Sequence, residues 1–92
     1  SDLPTADKPA DKKAKHLLPL KPISVGGKEW VYEIPNGSRL SADDVAKRVH
    51  AKGETPVLLV ASTARVQNYI DAEQPLRERN LQVALAVTLE GD

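Results

Sequence analysis

Apolar and polar positions along this chain fall into short blocks with two different periods. Residues 29–34, EWVYEI, place Trp30, Tyr32 and Ile34 on one side of an alternation, with Val31 and Glu33 on the other. Period two is the signature of a half-buried strand. Residues 23–25, ISV, form a shorter strand candidate before it, closed by Gly26 and Gly27. Residues 35–38, PNGS, mark a turn, because Asn and Gly tolerate positive φ.

The period changes after Leu40. Ser41 stands where an N-cap belongs, and Asp44 follows at the acid position of a capping box. Leu40 and Val45 hold the positions of a hydrophobic staple. Asp43 and Asp44 suit the positive end of a helix dipole, and each has a base four positions on, Lys47 and Arg48. Val45, Ala46 and Val49 make the buried stripe, and Gly53 supplies the left-handed stop.

Residues 57–61, VLLVA, read as a strand buried on both faces. Val66, Tyr69, Ile70 and Leu76 then predict a second helix, starting near Ser62 or Thr63. Pro75 removes a helical hydrogen bond and clashes with the Asp71 carbonyl, so a kink or break is expected there. Asn80 is a suitable stop, and residues 82–89 close the chain as a strand. The order is β-β-α-β-α-β. Strands joined by a helix should run parallel with a right-handed crossover. The expected fold class is α+β, a two-layer sandwich with both helices on one face of a small mixed sheet.

Residues 1–22 differ from the rest. They hold four of the seven prolines and five lysines against three aspartates, a net +2, while residues 23–92 carry a net −2. Such a stretch buries too little apolar surface to offset its ordering entropy. It reads as a flexible Pro/Lys-rich linker or tail, leaving residues 23–92 as the globular domain. The exception is HLLPL, residues 16–20, whose leucines suit an extended segment added to a sheet edge, in this chain or a neighbour. A start at Ser-Asp without Met reads as a piece excised from something longer.

Ninety-two residues suffice for one small domain, and aromatics at 3% leave its core to Val, Leu, Ile and Ala. Without cysteine there is no disulfide or thiolate chemistry. No apolar run approaches the ~20 residues of a membrane span, and no signal peptide is visible. A nucleic-acid partner is not expected, because neither a basic face nor interleaved aromatics are visible.

Candidate chemistry is sparse. The junction Ser62, Thr63 and Arg65 lacks the glycines and lysine of a phosphate cradle, and N-capping is the simpler role for Ser62 or Thr63. His16 lies in the expected tail and His50 near the end of the first helix, where it suits the C-terminal carbonyls. Their spacing builds neither a triad nor a metal site. No catalytic residue, metal or cofactor is therefore expected. Trp30 and Tyr32 share one side of a strand, as a binding surface or, more simply, as the largest core residues. Arg77 and Arg79 suit a solvated helix end.

With this order of elements, residues 23–89 resemble the periplasmic domain of the ExbD/TolR biopolymer-transport family. ISVGGKEWVYEIPNGSRLSADDVAKRV resembles its first half and PVLLVASTARVQNYIDAEQPLRERNLQVALAV its second. Three positions depart from the family pattern. Ala61-Ser62 stands for an Ala-Asp step, Tyr69 is displaced by a residue or two, and Asn80 replaces a glycine. The resemblance implies the periplasmic domain of a single-span inner-membrane protein, with the proton-carrying aspartate in a span outside this chain. It implies a homodimer working with an ExbB/TolQ-like channel subunit and a TonB/TolA-like transducer, with peptidoglycan as a further partner. Residues 1–22 become the linker. Edge-strand addition is the physical mode, with Val83, Leu85 and Val87 as dimer contact and Leu17, Leu18 and Leu20 in a strand-forming linker. The competing expectations are a non-enzymatic adaptor or interaction domain of an envelope or secretion complex, and a fragment of a larger enzyme.

Overall fold

A computed structural model describes residues 16–89. The elements are β1 (Leu17–Gly26), β2 (Glu29–Glu33), β3 (Arg39–Leu40), α1 (Ala42–Lys52), β4 (Thr55–Ala61), α2 (Val66–Arg77) and β5 (Ala84–Thr88). The five strands form one mixed sheet in the order β3-β2-β1-β4-β5. β1, β2 and β3 pair antiparallel, whereas β4 runs parallel to both β1 and β5. The fold is the expected α+β sandwich, with the two-residue β3 added.

The larger correction concerns β1. The expected boundary at residue 22 cuts through a strand that begins at Leu17. Residues 17–20 pair with residues 55–58 of β4, and residues 21–26 pair instead with β2. Because β1 changes partner midway, each half has one side without a ladder. Pro19 and Pro22, lacking an N–H, can face those open sides. Composition suggested a tail; long-range pairing makes a central strand. The remaining tail residues, 1–15, lie outside the described part.

Cross-strand register puts Leu18, Leu20, Tyr32 and Leu58 on one face of the sheet. There they join Val45, Val49, Ala72, Leu76 and Leu81 in a single core, which seats both helices on that face. α1 starts as its sequence predicts. Ser41 Oγ accepts from the Asp44 N–H at 3.1 Å, and Gly53 at φ 65° lets residues 53 and 54 return their N–H groups to the Val49 carbonyl.

α2 departs from expectation at its start. It starts at Val66 behind Arg65, with no side-chain cap, so neither Ser62 nor Thr63 has the capping role. The Ser62 N–H instead donates to the Thr88 carbonyl and extends the β4–β5 ladder. Pro75 lies inside the helix, which runs on to Arg77. Asn80, at φ 62°, is the expected left-handed stop. It closes a Schellman motif, with Leu81 N–H on the Leu76 carbonyl and Asn80 N–H on that of Arg77. Leu76 and Leu81 are both buried, the hydrophobic contact this motif favours.

Candidate interaction surfaces

Strand order decides which backbone remains open. β3 and β5 are the two edges, and β3 has only two residues. β5, with the sequence ALAVT, carries neither charge nor proline, the usual guards of an edge. Leu85 is opposite Leu58 and Val87 opposite Val60, so their side chains share the core face. Yet Leu58 and Val60 are buried, while Leu85 is 46% and Val87 68% exposed. The helical cover ends over β4. Leu89, exposed to the same degree as Val87, prolongs the uncovered strip.

Of the residues expected at an interface, Leu85 and Val87 lie on this open edge, and Val83 is half-buried against the core. Leu17 is exposed on β1. Leu18 and Leu20 are corrected: at 2% and 0% exposure they pack inside this chain's own core, because β1 lies between β2 and β4. They offer no surface to a partner.

Charged groups pair across the fold more than along helices. Arg48 makes a bidentate pair with Glu54, at 2.8 and 3.2 Å, in place of the expected partner Asp44. That hydrogen bond holds the Glu54 carboxyl below its ordinary range. Asp43 pairs with Arg79 at 2.6 Å instead of Lys47, and its carboxyl is likewise held low by the hydrogen bond and charge of Arg79. Arg79 also donates to the Pro75 carbonyl at 2.7 Å, so it clamps α1 to the end of α2. Arg77 pairs with Glu73 at 3.0 Å. His16 and His50 are exposed, and among the described residues no group of three or more His, Cys, Asp or Glu could hold a metal.

The two aromatic residues of β2 divide. Tyr32 is fully buried and donates to the Ala72 carbonyl at 2.7 Å. Burial pushes its phenol up to about 12, against a small opposing effect of Arg79. Trp30 is half-buried and stands between two cavities. One, of about 470 Å³, lies between the β1–β2 turn and α2, lined by Lys28, Asp71, Gln74 and Glu78. The other, of about 300 Å³, is lined by Lys21, Pro22, Val60, Asn68 and Tyr69. No local sequence pattern marks either cavity, because each is formed by strand and helix residues far apart in the chain that meet beside Trp30.

No described helix is long and apolar enough to cross a membrane. A comparison with protein-family models finds no match, and a comparison with curated proteins finds none.

Proposed function

We propose that this chain is the periplasmic domain of a single-span inner-membrane protein in a proton-motive-force-coupled, TonB- or Tol-type complex. It acts by dimerising and by binding a partner's strand, with the parent protein engaging an ExbB/TolQ-like channel subunit and a TonB/TolA-like transducer. The observation that carries this reading is the β5 edge: five residues of unguarded backbone with Leu85 and Val87 exposed beside it. An open edge recruits an extended chain through main-chain hydrogen bonds, and flanking apolar side chains add burial. A second copy satisfies the same edge by two-fold antiparallel pairing about Ala86, which sets Leu85 opposite the second copy's Val87. The resemblance of residues 23–89 to ExbD/TolR domains supplies the rest.

Sequencing the coding region upstream of Ser1 tests the membrane setting. An apolar segment of about 20 residues containing one Asp, ending shortly before residue 1, supports it. A soluble domain or a cleavable signal there contradicts it, leaving an adaptor of an envelope or secretion complex.

A further inference from the structure

The sheet is split above Leu20 and Leu58. Up to that pair β1 runs alongside β4; from Lys21 onward its ladder partner is β2. Residues 59–61 of β4 remain paired with β5 on their other side. No residue of β1 pairs with them, although the Ala61 carbonyl already accepts from the Ala64 N–H at 2.9 Å, and the 300 Å³ cleft opens there, lined by Lys21 and Pro22 from β1 and residues 59–61 from β4. α2 contributes Asn68 and Tyr69, and β2 contributes Trp30.

We propose that this cleft binds an extended peptide segment carrying a bulky apolar side chain next to an acidic residue. β5 reaches this cleft only through Thr88, on the side facing away from its open edge, and the proposal does not depend on the function proposed at that edge.

Three features select that ligand. Main-chain N–H and C=O groups left without strand partners are the complement of another extended backbone. Trp30, Tyr69, Pro22 and Val60 supply aromatic and aliphatic wall for one large apolar side chain. The cleft is small for a ligand site, so one or two residues enter and the rest of the peptide passes outside. Lys21 is the one charged residue lining it among the described residues. An acidic side chain adjoining the apolar one complements that charge. A phosphate-bearing ligand fits less well, since no glycine lines this cleft.

Trp30 is the only tryptophan, so its emission reports on binding beside it; because it also lines the larger cavity, the amides of residues 59–61 place the ligand in this cleft. The probes are acetylated, amidated hexapeptides of Gly and Ser with a central Leu-Glu, Leu-Lys or Ser-Glu pair. They are titrated into the whole chain while Trp30 emission and backbone amide resonances are followed. The Leu-Glu peptide is expected to move Trp30 and the amides of Lys21, Ile23 and residues 59–61. Leu-Lys should bind about tenfold more weakly, the scale of one partly desolvated charge pair. Lys21→Glu, at an exposed position, should reverse that preference, and Ala64→Leu should fill much of the cleft and weaken the response. The proposal is overturned if Lys21→Glu leaves the preference unchanged or if peptides move only residues 84–87. It is also overturned if a chito-oligosaccharide moves Trp30 where peptides do not. A Leu85→Lys/Val87→Lys double variant, blocked at β5, must keep the peptide response, which separates failure here from failure at the edge.

Discussion

The phenol of Tyr32 reaches across the core to the backbone of α2, donating to the Ala72 carbonyl at 2.7 Å over 40 residues of sequence. One hydrogen bond thus ties the middle of β2 to the helix turn that precedes Pro75. Tyr32→Phe keeps the ring and removes the bond, and should cost about 1–2 kcal/mol in urea unfolding. The variant also changes the alkaline limb. A phenol raised from 10.0 to about 12 contributes stability that is complete below pH 10 and lost as pH rises toward 12. Wild type should lose stability in that window, and Tyr32→Phe should lose less.

Glu54 and Asp43 act at the other end of the pH scale. Arg48 and Arg79 hold their carboxyls low, so both contributions are present above the ordinary values of 4.5 and 3.8. They disappear as the pH falls through the lower, folded values. Glu54→Gln should therefore lower the urea midpoint at pH 7, and the difference from wild type should shrink below about pH 4. A gap that persisted at pH 2 would assign Glu54 a packing role instead.

Leu20 distinguishes a linker from a strand. If β1 begins at Leu17, Leu20→Ala opens a cavity under the helices and costs about 2–5 kcal/mol. Domains of this kind hold only about 5–15 kcal/mol in total. Removing residues 1–20 should abolish cooperative unfolding altogether. A linker would tolerate both changes.

Asn80 is held at φ 62° by the Schellman closure of α2. Asn80→Ala should cost about 1 kcal/mol, because a Cβ without a local polar side chain disfavours that region. Asn80→Gly should be neutral or stabilising. Thermal midpoints of the two variants check the ordering.

What the sequence made legible were features set by local chemistry. The Ser41 cap, the Gly53 and Asn80 stops and the alternation of β2 all depend on residues within a few positions of each other. The misreadings share another cause. Pro19, Lys21 and Pro22 look like linker until β4 and β2 claim opposite halves of β1. Ser62 looks like a cap until its N–H is drawn to Thr88, 26 positions later in the numbering. Arg48 and Asp43 have plausible partners along α1, yet Glu54 and Arg79 offer better geometry. The open β5 edge and the cleft beside Trp30 follow from strand order and from the point where β1 parts from β4. No local pattern encodes either.

Sedimentation velocity over a wide range of protein concentration, comparing wild type with the Leu85→Lys/Val87→Lys double variant, reads pairing through β5 itself. Both substituted residues are exposed, and lysine on an edge strand is a natural guard against pairing. Wild type is expected to form a concentration-dependent dimer and the variant a folded monomer with unchanged circular dichroism. Wild type sedimenting as a monomer throughout, or a variant that dimerises equally well, would contradict pairing through β5.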